Sequence, residues 1–300
     1  MQNPEGAPPS TDAILAIVVS VVIPAHNEAG VVGRLLRGLL AGARPGEFEI
    51  WVVANGCTDD TAGVAGGFGP DVNVLVSPRP DKHAAMRLAD EHAKGFPRLY
   101  VDADVELGSA DVRALAEALD APGVMAAGPE RAWPADGRPW TVRWFYDVWH
   151  EFPTVRTGLW GRGVVGVSRQ GYERLRELPP LLGDDLAASL AFSADQRRVV
   201  PGAVAVVHPP RGLAALLKIR TRALVSTAQA AGDPHLADVA GDDRTSWSDL
   251  RDVALAAPLR NGPKVAWFLA ITVVTRLRAR RAVRAGDFTT WQRDDTSRRP

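Results

Sequence analysis

Over the first 130 residues, short and almost wholly apolar runs alternate with segments of helical periodicity, and this alternation restricts the fold more than any other feature. Val18 to Ile23 reads as a strand. Glu28 to Leu40 carries apolar residues at Val31, Val32, Leu35, Leu36, Leu39 and Leu40, the spacing of one helix face. Asn27 is the expected N-cap of that helix and Gly42 its stop. The unit then repeats: strand Phe48 to Ala54, short helix Thr58 to Ala65, strand Val72 to Val76, helix Lys82 to Lys94 ended by Gly95, strand Leu99 to Asp102, helix Ala110 to Leu119. Strands that are apolar on both sides need helices on both faces, so the chain is expected to form a mainly parallel α/β sheet flanked by helices.

In such sheets ligands gather at the carboxyl ends of the strands. Three polar clusters stand there: Pro24 to Glu28, Asn55 to Asp60, and Asp102-Ala103-Asp104. Two carboxylates two residues apart at a strand end point the same way. They repel unless a cation sits between them and an anionic ligand. Mn2+ or Mg2+ takes such oxygen donors and completes its shell with phosphate oxygens; a pair of solvated turn aspartates is the plainer alternative. The loop after Ile23 offers backbone groups and short polar side chains to a base and ribose, with Glu28 near the ribose hydroxyls. Asp59 and Asp60 are expected to cap the short helix after Thr58.

Beyond residue 130 the pattern changes. Five tryptophans fall between 133 and 160 (Trp133, Trp140, Trp144, Trp149, Trp160), and each taken singly reads as core. A glycine-rich strand, Gly161 to Val167, a helix near Gln170 to Glu177 and the pair Asp184-Asp185 follow. Val199 to Val207 is strand-like, Leu213 to Ala230 is a long helix, and residues 232–248 read as a loop. The run Val265 to Val274 is too short to span a membrane and is followed by Arg276, Arg278, Arg280, Arg281 and Arg284. It reads either as a core-docked helix or as a helix making peripheral contact with an anionic membrane.

The formal net charge of +0 gives no basis for bulk nucleic-acid binding. Cys57 is the only cysteine, so no intrachain disulfide forms, which fits a reducing compartment and hence a cytoplasmic protein, peripheral on the inner face of the membrane if the basic helix binds there. Residues 1–16 read as a flexible N-terminus without the basic start of a secretory signal.

Taken together, VVIPAHNE, WVVANGCTDDT, DKHAAMRLA and YVDADVEL resemble the family 2 glycosyltransferases of GT-A (Rossmann-like) fold, over roughly residues 17–230. The resemblance implies a nucleotide-sugar donor (UDP or a related nucleotide), Mn2+ or Mg2+, a hydroxyl-bearing acceptor that is lipid-linked or small and soluble, and inversion at the anomeric carbon. It implies a nucleotide-sugar-binding half at 17–130, an acceptor-binding and catalytic half at 131–230, and a C-terminal helical extension with a basic tail at 231–300. Carried over by position, Pro24, Ala25, Asn27, Glu28, Asn55, Lys82 and Asp102 line the nucleotide site, Asp104 binds the metal, and His208 in VVHPP completes the metal site. Gly161 and Gly163 match a glycine loop close to the donor sugar, with Trp160 beside it on the acceptor side, and Arg222 faces phosphates. Asp184-Asp185 matches an acidic pair whose second member is the catalytic base. Asn55 stands where the family usually has an aspartate, which leaves the base of the donor open. Two other classes compete. A sugar-phosphate nucleotidyltransferase would carry a glycine-rich, arginine-containing loop where this chain has PAHNE. A non-catalytic nucleotide-sugar or membrane-binding module would have no use for the acidic pair.

Overall fold

The computed structural model describes residues 18–178, 184–232 and 247–286. The expected N-terminal tail, most of the 232–248 loop and the end of the basic tail lie outside the described residues.

The elements run β1 (Val19–Ala25), α1 (Val32–Leu40), β2 (Phe48–Asn55), α2 (Thr61–Gly66), β3 (Val72–Ser77), α3 (Lys82–Asp90), β4 (Arg98–Val101) and α4 (Ser109–Asp120). Then come β5 (Ala126–Ala132), α5 (Trp140–Trp149), α6 (Pro153–Thr157), β6 (Val164–Val167), α7 (Arg169–Arg176), α8 (Asp184–Ala191), β7 (Arg197–Val206), α9 (Leu213–Ala231), α10 (Trp247–Ala256) and α11 (Pro258–Arg284). One sheet of seven strands has the order β3-β2-β1-β4-β6-β5-β7. All its ladders are parallel except those of β6, which runs antiparallel to both β4 and β5. The fold is the expected mainly parallel α/β sheet with a C-terminal helical region, and a single sheet carries both expected halves.

Both faces are covered. On one, Val32, Leu35, Leu36 and Leu39 of α1 and Val112, Leu115 and Leu119 of α4 are buried against β1, β2 and β4. On the other, Ala85 and Ala89 of α3 and Ala188, Ala191 and Phe192 from the α8 region cover Val22, Val53 and Val165. A third cluster joins α5 to α9 and α11: Phe145, Trp149 and Phe152 pack with Leu216, Val265, Phe268 and Ile271. The Phe145 and Phe268 rings stack with centroids 4.9 Å apart.

Several local expectations need correction. β1 continues to Ala25, two residues past the expected end at Ile23, with Pro24 opposite Val53 of β2. The β4 ladder already ends at Val22, so the N–H that proline lacks has no strand to bond on that side. Asn27 does not cap α1. Val31 occupies the N-cap without a side-chain bond, while Asn27 has φ +51° and uses its Oδ1 to accept from the Thr58 backbone N–H at 2.7 Å. Asp60 occupies the α2 N-cap without a capping bond; it is Asp59 that accepts from the Thr61 N–H. The strand expected from Gly161 begins only at Val164, because Gly161 and Gly163 both have φ +67°, which breaks an extended run. β5 and α5 were not anticipated. Gly128 and Pro129 interrupt the strand pattern of β5, and aromatic crowding hides the helical period of α5.

Candidate active site

The three polar clusters meet along the carboxyl edge of β1, β2 and β4. The β1 and β2 loops are tied together: the buried Asn55 side chain donates to the Ala25 carbonyl at 2.9 Å, and His26 Nδ1 lies 2.6 Å from the Asn55 carbonyl oxygen. The Glu28 N–H donates to Thr61 Oγ1 at 2.8 Å, and Glu28 is buried. Pro24 and Ala25 are buried at the end of β1. Asn55 therefore spends its amide N–H on holding the loop pair.

Asp81 caps α3 by accepting from Ala84 N–H, which places Lys82 on the first turn. Lys82 Nζ then reaches Asp102 Oδ1 at 2.6 Å. Asp102 also donates its backbone N–H to the Gly163 carbonyl at 2.8 Å. Gly163 cannot carry a side chain without strain: φ is +67°, and a Cβ there would lie 2.3 Å from Val105 Cγ1. At the other end of the same loop, the Gly161 N–H donates to Asp185 Oδ2 at 2.6 Å. Asp185 Oδ1 accepts from the Leu186 N–H at 2.8 Å. Between the glycines, the buried Arg162 donates to the carbonyls of Gly158, Pro129, Val155 and Arg156. Burial draws its pKa down to about 10, which leaves it charged at neutral pH. The glycine loop thus bridges Asp102, at the end of β4, and Asp185, on α8. Asp184 opens α8, and its side chain lies outside the described ones.

After β4 the chain turns through Asp104 to Glu106, which makes an isolated antiparallel bridge with Val206. Val206 leads two residues later to His208, while Asp104 lies in the turn that precedes Glu106. His208 Nε2 lies 2.7 Å from Glu106 Oε1. The Arg34 guanidinium, from α1, lies 3.2 Å from the same Glu106 oxygen and donates to the Asp104 carbonyl at 3.2 Å. Neither Glu106 nor Arg34 was singled out from the sequence, although Glu106 continues the alternate acidic positions of Asp102 and Asp104. Among the described residues no three His, Cys, Asp or Glu side chains are grouped as a metal site.

Trp160 lies against Trp149, with ring centroids 5.5 Å apart. Arg222 is partly buried on α9. Three residues not picked out from sequence flank this region: Arg131 at the end of β5, His150 after α5, and Arg220 on α9. Arg131 donates to the carbonyls of Gly161 and Val155, and its guanidinium lies 4.6 Å from the Trp149 ring centroid. Burial lowers the His150 pKa to about 4, with the Arg131 charge acting in the same direction, so its imidazole is neutral at neutral pH.

This sheet order, with an acid-lined rim at the strand ends and a reversed β6, defines a GT-A type α/β transferase fold. The profile of the family described as "Glycosyl transferase family 2" matches residues 20–171, just over half of the chain, and the chain belongs to that family. The nucleotidyltransferase alternative falls with that assignment. An uncharacterized glycosyltransferase of Mycobacterium tuberculosis and one of Mycobacterium bovis are each 32% identical over 125 residues, 42% of this chain and 54% of the relative. The match thus spans about half the length of these curated relatives. A mannosyltransferase from Pyrobaculum calidifontis, solved with GDP-Man and Mn2+, is similar in fold at TM-score 0.62 and 21% identity, covering 87% of this chain and 86% of its own. Glucosyl-3-phosphoglycerate synthase from Mycobacterium tuberculosis, solved with Mn2+, UDP and glucosyl-3-phosphoglycerate, gives TM-score 0.54 at 20% identity, covering 73% and 82%. At these identities the likeness is one of fold.

Proposed function

We propose that the protein transfers a sugar from a nucleotide-sugar donor, UDP-linked in our reading, to an acceptor hydroxyl by a single inverting displacement. The observation that carries this reading is the glycine loop, which bonds Asp102 at Gly163 and Asp185 at Gly161 and so sets a donor-side and an acceptor-side carboxylate about one short loop. Pro24, Ala25, Asn27, Glu28 and Asn55 form the nucleotide pocket, with Lys82 and Asp102 as its charged pair and Arg222 toward the phosphates. Asp185 accepts the proton of the attacking hydroxyl. Its two oxygens are oriented by the Gly161 and Leu186 N–H groups and keep lone pairs free for a further donor. Trp160, Gly161 and Gly163 border the sugar.

The residues also fit a divalent metal. With Nε2 at Glu106, the His208 ring leaves Nδ1 without a partner among the described residues, and the Asp104 carboxylate, two residues before Glu106 in the chain, would be the second donor. One nitrogen and one oxygen donor suit Mn2+, with phosphates and water completing the shell. Such a metal, when bound, neutralises charge on the departing pyrophosphate. The mannosyltransferase and the synthase similar in fold were both solved with Mn2+. A thermal-shift screen of UDP, GDP and dTDP, each with and without Mn2+, tests the reading. A ligand at a hundredfold excess over its dissociation constant adds about 2.7 kcal/mol. No stabilisation by any nucleotide with Mn2+ would sink it.

A peripheral membrane contact is proposed on a separate observation. Among the described residues no helix is long and apolar enough to cross a membrane. On α11, however, Val273, Val274 and Leu277 are exposed among Arg276, Arg278, Arg280, Arg281 and Arg284. Apolar side chains interleaved with cations suit an anionic surface. Co-sedimentation with phosphatidylserine vesicles but not with phosphatidylcholine vesicles is expected; equal sedimentation with both would reject it.

A further inference from the structure

Arg220 projects from α9 into the aromatic cluster of α5, with its guanidinium 5.4 Å from the ring centroids of both Phe145 and Trp149. Arg131 approaches the same Trp149 ring at 4.6 Å. Two cations on one indole gain from its quadrupole, but the ring carries no net charge to neutralise either. Among the described residues Arg220 makes no hydrogen bond and no ion pair. It lies deep among its neighbours yet keeps some accessible surface, so it is enclosed without being sealed.

Further polar atoms in this neighbourhood are left over. Arg131 Nε, His150 Nε2 and Trp160 Nε1 are buried with no hydrogen-bond partner. Burial draws the Arg131 pKa down to about 9, and the charges of Arg162 and Arg220 push the same way. The acidic side chain acting on Arg131 in the opposite sense is Asp185, whose two oxygens already accept from Gly161 and Leu186. Burying cations without anions is costly, and so is burying unpaired donors. A bound anion would relieve both costs at once.

We infer that Arg220 and Arg131 form an oxyanion subsite for the acceptor, which therefore carries a phosphate or carboxylate group besides its reacting hydroxyl. The inference rests on the proposed role of Asp185. The acceptor rather than the donor is its occupant because Arg131 is bonded to Gly161, on the Asp185 side of the loop, whereas the Lys82–Asp102 pair stands at Gly163. Guanidiniums suit phosphate or carboxylate through paired N–H donors, and the Trp149 indole holds both in place.

The test is calorimetric titration of the full chain, saturated with UDP and Mn2+, with sn-glycerol 3-phosphate, D-glycerate or glycerol. One or both anions should bind at least about tenfold more tightly than glycerol. R220Q should weaken anion binding by about tenfold to a hundredfold, R220K by less, and both should leave UDP affinity unchanged. Equal binding of the three probes, binding of none of them, or an anion affinity untouched by R220Q would overturn the proposal. Displacement of the anion by UDP would overturn it too, by giving the cations to the donor's pyrophosphate. Should R220Q not fold, the wild-type preference between anions and glycerol decides. If UDP with Mn2+ does not bind but the anion does and R220Q abolishes it, the donor reading fails while the oxyanion site stands.

Discussion

Asp185 is gripped by two backbone N–H groups, and this should set it apart from its neighbour Asp184. Adjacent helical residues diverge by roughly 100°, so one of the pair can aim at the acceptor hydroxyl. Asp185→Asn keeps the size and removes the proton acceptor. Transfer should fall by ~10²–10⁴-fold with nucleotide affinity nearly unchanged, measured as kcat against the Kd for UDP and Mn2+. Near-normal transfer by Asp185→Asn, with Asp184→Asn inactive, would reverse the assignment. Gly163 invites a different substitution. An alanine there meets both the left-handed penalty of about 1–2 kcal/mol and the Val105 side chain, whose displacement costs a further ~1–3 kcal/mol. Urea unfolding of Gly163→Ala should register the loss, and nucleotide affinity should fall with it, because the same residue holds Asp102.

Among the elements, β2 and α4 are joined through Glu47, just before β2. Its carboxylate takes 2.6 and 2.9 Å hydrogen bonds from Arg113 of α4 and a 2.8 Å bond from Arg44 N–H. The Arg113 bond is the main reason its pKa falls from 4.5 to about 2. Between those values the unfolded chain binds a proton that the native state does not, so stability rises with pH there. The contribution is complete above about pH 4.5 and disappears as pH falls through about 2. Glu47→Gln should therefore lower Tm at neutral pH and flatten the acid limb of the stability profile in that window. An unchanged slope would refute the linkage. The first turn of α3 is the other informative element. Lys82→Met removes the partner of Asp102, and titration with UDP and Mn2+ should show weakened binding while far-UV circular dichroism is unaltered.

Over the whole molecule, α11 belongs to the core of the second half. Val265, Phe268 and Ile271 are buried against the α5 region and α9, and Trp267 Nε1 donates to the Thr141 carbonyl at 2.7 Å. Each such apolar side chain contributes about 1.5–3 kcal/mol, which together is comparable with the ~5–15 kcal/mol net stability of a domain. Removing residues 251–300 should therefore lower Tm sharply. We still expect the nucleotide half to bind UDP with Mn2+ in whatever fraction stays folded; a folded truncation without that affinity would refute the division.

The sequence by itself determined the parallel sheet and the polar rim at its strand ends. Periodicity and apolar runs are local properties, and the βα repeat turns them into one architecture whose strand ends face one way. The first turn of α3 was legible for the same reason, whereas the glycine loop and the acidic pair at the start of α8 entered through the family resemblance, the local pattern having read Gly161 to Val167 as a strand. Tertiary structure alone decided that β6 runs backwards, that His208 meets Glu106, and that Arg131 and Arg220 converge on Trp149. Those partners come from elements far apart in the chain. A lone arginine on a helix looks solvated until packing encloses it, and a glutamate past a strand has no partner until a distant strand is laid beside it. Charge pairing and desolvation depend on which surfaces meet, and no local pattern records that.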